Sequence, residues 1–140
     1  MDVEPVWVEG YYEVLALHRM LMECKFDDLG SVYAGSPFIA AIQHRLADAL
    51  EAADPGEGWR KWREAEGHSH RLEAVRAHLA GASNWWQDSG PEERAKYVRD
   101  LLAPLHLTDG LLAELTAIEN PMTATGDSND GGLTETAGDE

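Results

Sequence analysis

The sequence predicts an all-α protein: a small bundle of four to five helices, followed by a disordered acidic C-terminal tail. Apolar residues recur at helical spacing over most of residues 1–119. Helix start and stop signals separate these segments, and no pair of strand-like segments occurs. A chain of 140 residues has the length of one domain that buries a core without disulfides or metal. We therefore assign one helical domain to residues 1–119 and the tail to residues 120–140.

The first helix is predicted from Glu9 to Leu29 and is closed by Gly30. Its apolar residues cover a wide arc, which indicates contact on more than one side and a central place in the bundle. The single cysteine, Cys24, falls in this arc and is expected to be a small core residue. The lead-in before the helix is expected to pack as an extended arm through three apolar residues, Val6, Trp7 and Val8.

The second helix opens at Ser36 and Pro37, an N-cap serine followed by proline at the first helical position, and ends near Ala53. It is expected to bury six apolar side chains: Phe38, Ile39, Ile42, Leu46, Ala49 and Leu50. The third helix is predicted from about Glu57 to Ala80. Gly67 interrupts it at a cost of about 1 kcal/mol relative to alanine, so the pattern permits either one continuous helix or a break into two.

Residues 81–90 are predicted to form a loop. The fourth helix opens with Ser89 and Glu92 in capping-box spacing, and Pro104 ends its regular pattern. Thr108 is expected to cap a short fifth helix. In the C-terminal tail large apolar residues almost vanish, and such a segment cannot bury enough surface to offset the entropy of ordering.

The composition limits the possible partners and the compartment. The formal net charge is −15, from 26 acidic and 11 basic side chains. Direct binding to nucleic acid or to an anionic membrane surface needs clustered Lys and Arg, so neither is expected. No apolar run is long enough for a transmembrane helix, and the acidic N-terminus does not resemble a secretory signal. A single cysteine is typical of a reducing compartment, so the cytoplasm is the predicted location.

The segment EAEGHSHRLEAVRAH, residues 64–78, holds three histidines and three glutamates. His68 and His70 lie about 200° apart on a regular helix, so they cannot chelate one ion. Neither HExxH nor a glutamate followed by a histidine three residues later occurs. If the first and third helices pack together, His18 and His68 could meet and hold a metal or titrate near neutrality. A hydrogen-bonded structural histidine is the more common outcome, and no cofactor is predicted.

The tryptophans are the better clue to binding. Trp85 and Trp86 are adjacent in the predicted loop, where one is expected to seal the core and the other to face outward. Trp59 and Trp62 lie one helical turn apart and are expected to line the same region. Tryptophan anchors both interfaces and cores, and the sequence does not decide between them. These four residues are the predicted partner-binding set.

The favoured hypothesis is a small acidic interaction protein: an adaptor, inhibitor or assembly factor that binds a protein partner or itself. An enzyme is less favoured, because no nucleophile elbow and no glycine-rich phosphate loop occurs. One alternative is a metal-binding or acid–base protein that uses the buried histidines. Another is a DNA mimic that inhibits a nucleic-acid-binding protein, although basic residues interrupt nearly every acidic run.

Overall fold

The computed structural model describes residues 1–54 and 56–119. Within them the chain forms seven α-helices and no strand, which confirms the all-α prediction. The helices are α1 (Tyr11–Asp27), α2 (Pro37–Ala53), α3 (Glu57–Trp62), α4 (Ser69–Ala80), α5 (Asn84–Asp88), α6 (Pro91–Leu102) and α7 (Asp109–Thr116). Their number exceeds four to five because the predicted third helix is divided and the predicted loop contains α5. The predicted tail, residues 120–140, lies outside the described residues.

Two groups of buried apolar side chains form the core. The larger group joins α4, α5, α6 and α7, and its largest members are Leu72, Leu79, Trp86, Leu101, Leu102, Leu105, Leu111 and Leu115. The smaller group lies between α1 and α2 and consists of Val14, Leu15, Leu46 and Leu50. Phe26, near the end of α1, packs against the larger group. Helix α1 therefore contacts both groups, in keeping with its wide apolar arc.

The N-terminal arm and Cys24 differ from their predictions. Trp7 is 83% exposed and Val6 is also exposed, so the arm does not pack on the bundle. Cys24 is exposed as well, while its neighbour Lys25 is buried. The reason is that the Lys25 amine donates to two main-chain carbonyls near the end of α6, and this contact turns the Lys25 side of α1 inward.

Helix α2 buries a different set of side chains from the one predicted. Leu46 and Leu50 are buried as expected, but Phe38 is 80% exposed and Ala49 is also exposed. Three smaller or polar residues take the remaining buried positions: Ala40, Gln43 and Ala47. Because alanine has no side chain beyond Cβ, this face of α2 can approach its neighbours closely.

The capping signals were mostly correct. The Ser36 hydroxyl accepts hydrogen bonds from the amides of Phe38 and Ile39, and Thr108 accepts one from Leu111. The predicted box at Ser89 and Glu92 is one residue out of register. The N-cap of α6 is Gly90, whose amide donates to the Glu93 carboxylate at 3.0 Å. Ser89 instead donates its hydroxyl proton to the carbonyl of Trp85.

Two buried arginines connect distant parts of the bundle. Arg63 donates to the carbonyl of Pro104 at 3.0 Å and to the carboxylates of Asp48 and Glu51 at 2.6 and 3.2 Å. Arg94 donates to the carbonyls of Trp86 and Thr116, at 3.0 and 2.9 Å, and pairs with Glu119. Both are buried, although each follows or precedes acidic residues in the sequence, as residues of a solvated helix surface often do.

Candidate functional site

The adjacent tryptophans of α5 have different environments. Trp86 is fully buried, and its indole N–H donates to the carbonyl of Ile118 at 2.8 Å. The Arg94 guanidinium lies 4.5 Å from the centre of its ring. Trp85 is 47% exposed, and its ring meets Tyr97 edge to face at 4.8 Å. Successive residues of a helix point about 100° apart, so α5 directs Trp86 into the core and Trp85 to the surface.

Trp85 borders a cavity of about 500 Å³ that we call the Trp85 groove. Its walls are residues 29–32, the start of α2 and parts of α4, α5 and α6. Large apolar side chains stand exposed on the walls: Val32 is 81% exposed and Phe38 80%. Tyr33, next in the chain to Val32, is exposed as well. A cluster of exposed apolar groups around one concavity is typical of a surface that meets another molecule.

Tyr97 forms the floor of the groove and is held firmly. Its hydroxyl lies 2.9 Å from Nε2 of His78. Burial lowers the pKa of His78, which Asp28 partly offsets, and burial raises the pKa of Tyr97. Both groups are therefore neutral at pH 7, and the Tyr97 hydroxyl can donate to the imidazole. A Cβ at Gly35 would lie only 2.5 Å from the Tyr97 ring, so glycine is required at that position.

Trp59 and Trp62 belong to a different site. They line a cavity of about 540 Å³, the Trp59 pocket, whose described lining shares no residue with the Trp85 groove. Their rings meet at 5.6 Å and 73°. The His18 ring contacts both of them edge to face, at 5.5 Å from Trp59 and 5.0 Å from Trp62. The expectation that all four tryptophans line one region is therefore wrong.

The structure does not bring His18 and His68 into contact as a pair. The Trp62 ring contacts each of them, at 5.0 and 5.1 Å. His68 is the N-cap residue of α4 rather than part of a continuous helix, and it interacts with the Trp62 carbonyl and with Arg71. Among the described residues, no three metal-ligating side chains form a group that could hold an ion.

His18 nevertheless has an unusual environment. Its side chain is buried, and Nδ1 has no hydrogen-bond partner within the described part of the chain. Burial lowers the pKa of His18, and the charges of Arg19, Arg71 and Arg63 lower it further. The imidazole is therefore neutral at pH 7 and lies in a locally positive field, although the whole chain is strongly acidic.

Little in the sequence indicates the walls of the Trp85 groove. Val32 and Tyr33 lie in a segment without periodicity between Gly30 and Gly35, and Phe38 has helical spacing that predicts burial. The one indication in the sequence is that Val32 and Tyr33, two large apolar residues, lie in a turn bounded by glycines. Residues in such a turn belong to no helix or strand whose apolar face could carry them into the core.

Comparisons with models of protein families, with curated proteins and with solved structures found no match for this chain. The two sites themselves are therefore the basis for a functional proposal. Within residues 1–54 and 56–119, no helix combines the length and the apolar character that crossing a bilayer requires.

Proposed function

We propose that this chain is a protein-binding module whose Trp85 groove takes a segment of a partner that carries both apolar and basic side chains. The observation that supports this most directly is the exposure of Val32, Phe38 and Trp85 around a single concavity. Aromatic residues at the centre of such patches contribute much of the energy of protein association. The proposed class is an adaptor, inhibitor or assembly factor.

The charge of the partner follows from the charge of this chain. The groove lining contains no Lys, Arg, Asp or Glu among the described residues. Acidic groups stand beside it: Asp28 caps the amide of Gly30, which is part of the wall, and Asp88 ends the helix that carries Trp85. Basic side chains flanking an apolar anchor would therefore meet complementary charge, which raises association rates and specificity.

The same charge disfavours a second copy of the chain as the occupant. Two molecules that each carry a formal charge of −15 repel one another. We therefore commit to a different, basic protein as the partner. The proposal places the complex in the cytoplasm, because a single free and exposed cysteine is typical of a reducing compartment.

The groove is preorganised for binding. Tyr97 is fixed by His78 on one side and by the Trp85 ring on another. Gly35 lets the backbone approach this ring closely. A wall that needs little ordering loses little side-chain entropy on association, so more of the contact energy remains as affinity.

Calorimetric titration with two amphipathic peptides of equal length, one with lysine and one with glutamate on the polar face, tests the proposal. The lysine peptide should bind and the glutamate peptide should not. Combining Phe38→Ser with Trp85→Ala should weaken binding about tenfold or more, because it removes two anchors. Tyr12→Ala, at an equally exposed ring outside the groove, serves as the matched control and should bind normally.

Circular dichroism of each variant shows whether the fold is retained. Equal affinities for the double variant and the Tyr12 variant would contradict the groove as the binding surface. Sedimentation that shows a stable homodimer dissolved by Trp85→Ala would replace the basic partner with self-association.

A further inference from the structure

The Trp59 pocket has the features of a small-molecule site, independently of the Trp85 groove. It lies where three helices meet: α1 supplies His18 and Arg19, α3 supplies Trp59 and Trp62, and α4 supplies Arg71. Its volume of about 540 Å³ falls within the range of roughly 300–1,000 Å³ that is usual for ligand pockets.

The aromatic side of the pocket suits a flat ring. Trp59 and Trp62 are each only half-buried, so part of each indole is open to the cavity. Each of the two rings also meets the buried His18 ring edge to face, which fixes their orientation. A planar ligand can add offset-stacked or edge-to-face contacts on such a surface without rearranging it.

Two guanidinium groups of the pocket have no carboxylate partner in the part of the chain that the structure describes. Within the described residues, no acidic side chain lies within ion-pair distance of Arg19 or Arg71. Arg71 is positioned by a hydrogen bond to Nδ1 of His68 at 2.8 Å and by the Phe26 ring at 5.3 Å. Arginine recognises planar carboxylates through paired hydrogen bonds, and two arginines from different helices can hold one carboxylate between them.

The environment of the buried His18 imidazole indicates the sign of the charge around the pocket. Nδ1 of His18 is itself buried and has no partner in the described chain. Arg19 and Arg71 are also among the charges that lower the pKa of His18, so the potential there favours an anionic ligand over a cationic one.

We propose that the Trp59 pocket binds a small aromatic carboxylate, with its ring against Trp59 and Trp62 and its carboxylate toward Arg19 and Arg71. Two acidic residues, Glu23 and Asp54, also line the pocket. They repel a carboxylate placed beside them and accept a hydrogen bond from a ring N–H or O–H. The ligand class is therefore an indole or phenol carboxylate rather than a simple benzoate.

Isothermal titration calorimetry with indole-3-carboxylate tests this inference. The neutral compound indole-3-carboxamide and the cation benzyltrimethylammonium serve as comparison probes. The carboxylate should bind saturably and should shift the indole N–H resonances of two tryptophans in NMR spectra. The amide and the quaternary ammonium ion should bind about tenfold more weakly or not at all, since neither can form charged hydrogen bonds with the two guanidinium groups.

Arg71→Met keeps most of the side-chain stem and removes the charge, so it should weaken carboxylate binding about tenfold. Arg45→Met, at an exposed arginine of α2 outside the pocket, is the matched control and should bind as the parent does. Trp85→Ala should also leave this binding unchanged, which separates the pocket from the groove. Absence of saturable carboxylate binding, preference for the ammonium probe, or equal loss in both arginine variants would overturn the proposal.

Discussion

The burial of the Lys25 amine couples its ionisation to the stability of the protein. Lys25 is 2% exposed, and its amine donates to the carbonyls of Asp100 and Ala103 at 2.7 and 3.1 Å. Burial lowers the pKa of Lys25 to about 7, an effect that the Asp100 carboxylate partly offsets. In the unfolded chain the same amine keeps its proton up to about pH 10.

The free energy of unfolding should therefore rise with pH above neutrality. Between pH 7 and the unfolded pKa, the unfolded chain binds more protons than the native chain, so raising the pH favours the native state. We expect a gain of about 2 kcal/mol from pH 7 to pH 9, measured by urea denaturation. The buried histidines do not produce this gain, because their lowered pKa values place their titration below pH 7.

Lys25→Met supplies the comparison. This variant removes the titrating amine, so its stability should hardly change from pH 7 to pH 9. An equal pH dependence in both proteins would assign the effect to another group.

At the scale of single helices, local signals in the sequence predicted where helices begin but not where a helix is interrupted. Ser36 and Thr108 cap the helices for which they were predicted. The break between α3 and α4 depends instead on main-chain hydrogen bonds between residues far apart, from Ala65 to His106 and from His106 to Arg63. Apolar spacing continues through this break, and Gly67 alone left both outcomes open, because periodicity carries no information about a bond to a residue some forty positions away.

The Ser36 cap offers a direct measurement of one such local signal. Its hydroxyl accepts from two amides at the start of α2, so Ser36→Ala should lower the free energy of unfolding by about 1 kcal/mol. Ser83 occupies the same position before α5 but makes no side-chain cap bond. Ser83→Ala should therefore leave the denaturation midpoint unchanged, and equal losses would show that the cap bond is not the cause.

At the scale of the whole molecule, Arg63 joins elements that lie far apart in the chain. It contacts Asp48 and Glu51 of α2, the Nδ1 of His44, and the carbonyl of Pro104 between α6 and α7. Arg63→Met should destabilise the protein by about 2 kcal/mol, because it leaves the buried carbonyl of Pro104 and the half-buried side chains of Glu51 and His44 without their donor. Chemical denaturation measures the loss, and Arg45→Met should show almost none. A small effect at Arg63 would mean that water replaces its hydrogen bonds.

The sequence predicted the all-α fold class and most of the helix caps. It also predicted that one of Trp85 and Trp86 lies in the core and the other at the surface. It did not predict which basic side chains are buried, because Arg63 and Arg94 occur in segments whose charge pattern is that of a solvated helix surface. It also placed Phe38 in the core, since helical spacing shows which residues share a face but not which face meets the bundle. The partner-binding roles of Trp85, Trp86, Trp59 and Trp62 stay predictions.

The buried cations also constrain the order in which the fold can be completed during synthesis. Lys25 and Arg63 leave the ribosome long before the carbonyls of Asp100, Ala103 and Pro104 to which they donate. Arg94 in turn depends on the carbonyl of Thr116. Until the chain has emerged as far as Pro104, Lys25 and Arg63 lack these carbonyl acceptors. Their native contacts can therefore form only after α6 has been synthesised, and that of Arg94 with Thr116 only after α7.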